Sequence, residues 1–316
     1  MASGTAIYHP EEVRVRESPG TSEQAEFLAG IAHPSICASS RDFLAAQRWV
    51  VVASRSQDRR VWCSLFTSAP TFISIPDEHT MRINVLTMTE DPIFSRLSNS
   101  SSPTRNIELL AADFLNMRRV MVKGEMEISS GALTVHVREV ASFCRKHVRP
   151  NGSERSRVWA PTTDAPTVMP IRRHNIILDA LQQAWIRTVN CFFIATYNAA
   201  GEAECWAPWW ASPPCQVVDN RTLLLPCFSD NGMYNTIDNL THDSRAGLLF
   251  LDYEHGTTLQ VTGRGQVIHD PAWTARFDRA CAVVEFTLDE TETIETENAT
   301  SMRWDLLGYS SYNPAP

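Results

Sequence analysis

The sequence predicts a mainly β fold, built twice in tandem, with helices confined to the periphery. Three observations carry that expectation. Short runs of apolar and β-branched residues, each closed by turn signals, recur at the close spacing of a barrel or sandwich. Three of these runs occur twice, in the same order, across the two halves of the chain. A segment rich in proline, Arg149 to Pro170, separates the copies and has the composition of an exposed connection.

Taken in order, residues 1–38 form an N-terminal extension and residues 39–148 the first β-unit. That unit opens on a helix, Arg41 to Gln47, after the cap signals Ser39 and Ser40. The run Arg48-Trp49-Val50-Val51-Val52-Ala53-Ser54 answers to Asn190-Cys191-Phe192-Phe193-Ile194-Ala195-Thr196 in the second half. Ile107-Glu108-Leu109-Leu110-Ala111-Ala112-Asp113-Phe114 answers to Ala246-Gly247-Leu248-Leu249-Phe250-Leu251-Asp252-Tyr253, and Val122-Lys123-Gly124 to Val261-Thr262-Gly263. A serine-rich patch, residues 98–102, reads as a loop. Residues 149–174 form the linker and 175–316 the second β-unit. Its predicted helices are Asn175 to Arg187, apolar at 176, 177, 180, 181 and 184, then Gly232 to Leu240 and Pro271 to Ala282. Gly263-Arg264-Gly265 is a lone GxG within a strand and predicts a β-bulge.

Composition narrows the function. The 316 residues carry 28 Lys plus Arg against 36 Asp plus Glu, a net charge of −8, with five acids between Asp289 and Glu297. Such a chain repels phosphate backbones, so no nucleic-acid partner is expected. No run of 18 apolar residues predicts a membrane span, and the first residues have neither a basic nor an apolar targeting region, so a cytoplasmic protein is expected. The eight cysteines include no CxxC or zinc spacing, and GxSxG, HExxH and GxxxxGK[ST] are all absent, so no metal is expected.

Phe192 to Thr196, Asp219-Asn220-Arg221-Thr222-Leu223, the stretch Asn231 to Asn239 and Gly247 to Asp252 together resemble the pyridoxamine 5′-phosphate oxidase-like FMN-binding split-barrel family, in its long duplicated form. The first half agrees through Phe43 to Trp49 and Pro76 to Thr80, and the tail through Leu306 to Pro314. The resemblance implies two tandem six-stranded Greek-key split barrels packed as a pseudo-dimer, with FMN between them, a small-molecule substrate and oxidoreductase chemistry; further homodimerisation stays open.

One stretch departs from the relatives. Where they carry Ser-His-Arg-Gly-Gly, suited to a phosphate, this chain has Trp206-Ala207-Pro208-Trp209-Trp210. The usual FMN phosphate site is therefore expected to be lost. Trp206, Trp209 and Trp210, with Trp62, either pack a core or wall a pocket for an apolar or aromatic substrate. Asn231, Asn235, Thr236 and Asn239 resemble the family's polar helix beside the cofactor, and also suit capping. Ser64, and Lys146 with Arg145, are further cofactor-binding candidates, or a strand filler and an exposed charge pair. Some relatives hold haem through a histidine, for which His174, His242, His255 and His269 are candidates; haem is not favoured. The functional expectation is an enzyme of the flavin split-barrel oxidoreductase type acting on a largely apolar or aromatic molecule. The alternatives are a flavin-independent enzyme catalysing a rearrangement or cyclisation, or a non-catalytic binder. No catalytic residue is singled out.

Overall fold

Strands long enough to be read from the sequence dominate the computed structural model. It describes residues 32–47, 49–67, 72–84, 106–113, 118–129, 132–144, 171–189, 192–207, 215–228, 233–251, 257–277 and 280–295. The serine-rich patch, most of the Pro-rich linker and the tail motif at 306–314 lie outside these residues.

The first half contains β1 (Ala32–His33), α1 (Ala38–Ala45), β2 (Trp49–Arg55), β3 (Val61–Thr67), β4 (Ile73–Asp77), β5 (Thr80–Asn84), β6 (Asn106–Asp113), β7 (Arg118–Ser129) and β8 (Ala132–Cys144). The second contains β9 (Ile171–Asn175), α2 (Ala180–Ile186), β10 (Phe192–Tyr197), β11 (Ala203–Trp206), β12 (Gln216–Val217), β13 (Thr222–Phe228), α3 (Tyr234–His242), β14 (Arg245–Leu251), β15 (Thr258–Ile268), α4 (Pro271–Thr274) and β16 (Ala280–Glu295). Each half folds into one eight-stranded antiparallel sheet. The orders are β3-β2-β6-β7-β8-β5-β4 with β1 on β8, and β11-β10-β14-β15-β16-β13-β12 with β9 on β16. These are the same path drawn twice, and it puts Val50 to Ser54 and Phe192 to Thr196 on equivalent strands. Eight strands stand in each sheet against the six implied, because short strands such as β1, β9 and the two-residue β12 join the ladder.

Continuous apolar runs arise because the central strands are buried on both faces. Within β2, Val50 and Val52 enter the first core while Val51 and Ala53 enter a core shared by the halves. Phe192 and Ile194 of β10 likewise face the second core, and Phe193, Ala195 and Tyr197 the shared one. The shared core is the seam between the sheets. Cys63 and Cys205 are equivalent residues on β3 and β11 and meet there with sulfurs 4.0 Å apart, on the approximate two-fold axis. Both long hairpins carry the same defect: register shifts fall between Lys123 and Gly124 and between Thr262 and Gly263. A Cβ on Gly124 would strike the His136 carbonyl, and one on Gly263 the Thr287 carbonyl, so each bulge demands glycine.

Three helices differ from expectation. The one predicted from Arg41 starts at Ala38, with Cys37 at its N-cap, so Ser39 and Ser40 lie inside its first turn and do not cap it. The helix predicted from Asn175 starts at Ala180, because Asp179 and Gln182 close a reciprocal capping box and residues 171–175 pair instead with β16. The expected apolar stripe faces outward, with Ile176 61% and Leu181 81% exposed, while Leu178, Gln182 and Ile186 are buried. The helix predicted over Pro271 to Ala282 is only the four residues of α4; from Ala280 the chain runs in β16.

Candidate functional site

The seam between the sheets gathers several of the residues singled out in the sequence, together with charged residues that were not. Asn239, on the buried side of α3, donates its amide to Thr196 Oγ1 of β10 at 2.9 Å and to Glu204 Oε2 of β11 at 3.0 Å. Glu204 Oε1 receives Lys123 Nζ from β7 at 3.3 Å, and Glu139 of β8 stands 3.9 Å from the same ammonium. The chain of contacts thus crosses from the first half to the second. Beside it Glu108, fully buried on β6, accepts the Cys205 amide at 2.6 Å through Oε2, while its Oε1 has no hydrogen-bond partner among the described residues.

Burial dominates the electrostatics. It raises the Glu108 carboxyl to about 8, against the opposing pull of Lys123, with the Glu204 charge adding to the rise. Burial alone would lower the Lys123 ammonium, but Glu204, Glu108 and Glu139 around it outweigh that and hold it charged, above the ordinary lysine range. One cation thus sits among three carboxyls, of which Glu108 keeps its proton near neutrality. Chemically, the cluster can hold a proton at Glu108 inside the seam.

The two-fold pairing shows how unusual this is. Glu108 is equivalent to Gly247, and Lys123 to Thr262, by the registers of β2 with β6 and β10 with β14 and by the matched bulges. In the other half Gly247 lets the backbone of β3 approach, and Thr262 donates its hydroxyl to the Val61 carbonyl at 2.8 Å. A charge in mid-strand where the repeat has glycine was legible in the aligned blocks, and it was the missed signal for Glu108.

Ser64 donates its hydroxyl to Gln260 Oε1 of the opposite half at 2.9 Å, and both residues are fully buried. Trp206 is half-buried against the second core, with the Arg119 guanidinium of the first half 5.0 Å above its ring. A cation thus stands at the first residue of the stretch that departs from the relatives. Trp62 is 2% exposed, Thr236 is buried and Asn235 half-buried. Asn231, Trp209, Trp210, Arg145, Lys146 and His255 lie outside the described residues. His174 and His269 are exposed on separate elements, and among the described residues no group of three metal-ligating side chains forms.

These placements test the fit of FMN. Of the six proposed cofactor contacts, Ser64 and Asn239 are fully buried and already hydrogen-bonded within the protein, and Thr236 is 3% exposed. Asn235 is half-buried and Asn231 and Lys146 lie outside the described residues, so three of the six positions are enclosed within the protein.

A sequence family described as pyridoxamine 5′-phosphate oxidase matches residues 178–296, which is α2 to the end of β16. No curated protein matches the chain. Similar solved structures include HupZ of Group A Streptococcus, at 14% identity, covering 35% of this chain and 90% of that one, with a TM-score of 0.30. A Clostridium acetobutylicum protein related to general stress protein 26 of the pyridoxinephosphate oxidase family is 14% identical, covering 36% and 86%, at 0.30. An F420 reductase is 15% identical, covering 34% and 94%, at 0.27.

Proposed function

We propose that this protein is a small-molecule enzyme on a flavin split-barrel scaffold, acting between its two barrels on a largely apolar or aromatic substrate, with the usual FMN phosphate site lost. The observation that carries this reading is Trp206. It opens the stretch, Trp206 to Trp210, that stands where the relatives have their phosphate-binding Ser-His-Arg-Gly-Gly run, and it is half-buried against the second core with Arg119 over its ring. The part of the half-buried indole left uncovered offers an apolar surface, and the cation beside it favours a π-rich partner. The family match over residues 178–296 supports the scaffold.

The sealed hydrogen bonds of Ser64 and Asn239 favour the flavin-independent form of this reading, a rearrangement or cyclisation in which the pocket folds and orients a hydrophobic substrate. In the oxidoreductase form a flavin would supply the redox chemistry. Titration with FMN and riboflavin side by side, followed by absorption and fluorescence, decides between them. The proposal expects no tight binding of either, or equal weak binding. FMN binding much tighter than riboflavin binding would show a working phosphate site and overturn it. Trp206→Ala is expected to weaken binding of a planar aromatic probe while the melting temperature moves little.

A further inference from the structure

A second place between the halves is built quite differently. At the C-terminal end of α3, about 13 Å along the helix from its first residue, a cleft of about 530 Å³ opens between the β2–β3 hairpin, the β10–β11 hairpin and the start of β14. Four arginines line it, Arg55, Arg59, Arg245 and Arg264, against one carboxylate, Asp243. In a chain of net charge −8 this concentration of cations is local and specific.

Two of the four are engaged. Asp243 Oδ2 receives Arg55 at 2.8 Å and Arg245 at 2.7 Å, and its Oδ1 receives Arg245 Nε at 2.7 Å. Arg55 also lies over the ring of Tyr197, 3.9 Å from its centre, and Tyr197 is its own equivalent in the other half. Burial holds Arg55 below the ordinary guanidinium range, and Arg245 and Arg59 press the same way against Tyr197 and Asp243. Arg59 and Arg264 are exposed, and neither has a side-chain partner among the described residues.

Both unpaired arginines occupy positions that carry a penalty. Arg264 stands directly across the β14–β15 ladder from Arg245, a like-charge pair that destabilises a sheet. Arg59 has φ +66, the left-handed region. Its counterpart in the equivalent turn is Gly201, φ +77, and the two turns share their hydrogen bonds: Arg59 N to the Ser56 carbonyl, Gly201 N to the Asn198 carbonyl. The fold therefore accepts glycine there without strain, yet one half carries an arginine aimed at the cleft. Backbone strain retained at such a place is a mark of a site.

We propose that this cleft binds a small phosphate-bearing anion, gripped by Arg59 and Arg264 and backed by the Arg55–Asp243–Arg245 cluster. Guanidinium forks match phosphate oxygens two at a time, and a bound anion would relieve the repulsion across the ladder. The site is separate from the aromatic wall at Trp206, and a colourless probe without a ring reads it alone.

The experiment is calorimetric titration of the full chain with pyrophosphate at fixed ionic strength, with succinate as the dicarboxylate control. Saturable pyrophosphate binding is expected, at least tenfold tighter than succinate. Arg59→Gly and Arg264→Gln are each expected to melt at or above the wild-type temperature, because each removes a strained or repelled residue, and yet to lose tenfold or more in pyrophosphate affinity. Unchanged affinity in both variants, or heat that follows ionic strength rather than the anion, overturns the site. Succinate binding as tight as pyrophosphate overturns the phosphate assignment.

Discussion

The two halves share one strand order and one pair of bulges, yet their equivalent seam positions hold opposite chemistry. Against Gly247, Thr262 and Trp206 in the second half stand Glu108, Lys123 and Ser64 in the first. Duplication fixes a backbone and leaves its two copies free to diverge where they meet. In this chain one copy brings the strands together by omitting a side chain, the other by burying charges that need partners from across the seam. That second solution is demanding, because a buried charge is tolerated only while every partner is in place.

Removing the one cation should therefore have the largest effect. Lys123→Met leaves Glu204 without its ammonium at 3.3 Å and deprives Glu108 of the charge that opposes its rise. A loss of about 3–5 kcal/mol in chemical denaturation is expected. Adding Glu204→Gln should recover part of it, since the two residues share a contact. Additive losses would show that the pair is not coupled.

The glycine solution is expected to be somewhat less sensitive. A Cβ at Gly247 would lie 2.7 Å from the Val61 carbonyl oxygen and 2.8 Å from both Trp62 Cα and Cys63 N, all backbone. These atoms cannot turn aside as a side-chain tip can. Gly247→Ala should lower stability by about 3 kcal/mol by forcing the seam apart, whereas alanine at Gly201, where nothing lies within 4 Å, strains only the turn conformation.

How much of this was legible in the sequence follows the same division. Strand runs, their duplication and the bulge at Gly263 were readable because each depends on local pattern and on residues that must be small. The helix from Asn175 was misread because an apolar period at 176, 177, 180, 181 and 184 fits a helix whether its face is covered or not. Only pairing with β16 and the Asp179–Gln182 box decide where it starts. Pro271 to Ala282 failed similarly: β-ladder pairing from Ala280 overrode a weak helical preference. In the candidate site, Asn239, Ser64 and Trp206 were named, but their partners Glu204, Gln260 and Arg119 come from distant strands and could not be read from spacing. The arginine cleft was invisible for the same reason, its cations being scattered between positions 55 and 264.

Glu108 allows the comparison to be sharpened by pH. Its carboxyl is raised from 4.5 to about 8, so between those values the folded chain holds a proton that the unfolded chain has lost. Folding takes up a proton in that window, and stability must fall as pH rises through it. Glutamine keeps the bond from the Cys205 amide and cannot ionise. Glu108→Gln should match the wild type near pH 4.5 and exceed it increasingly as pH rises toward 8, because only the glutamate has to ionise in a buried place. Parallel stability curves across that range would show that Glu108 is already ionised in the fold.

The smallest effect concerns the helices that open the two halves. Asp179 caps α2 with its side chain on the Gln182 amide, whereas the equivalent position before α1 is Cys37, which makes no such cap. Its thiol instead meets Ser39 and Ser40, and those hydrogen bonds lower it from 9.0 to about 7, so that near neutrality a large share is thiolate. Cys37 is exposed, while Cys63, Cys205, Cys215 and Cys227 are buried, and burial raises the thiols of the last three. Cys37→Asp should make the first helix begin as the second does and stabilise the chain by about 1 kcal/mol. Iodoacetamide mapping of the native wild type at pH 7 should mark Cys37 ahead of those four buried thiols. A substitution that destabilises the chain would show that the serine contacts of Cys37, and not a missing cap, set the start of α1.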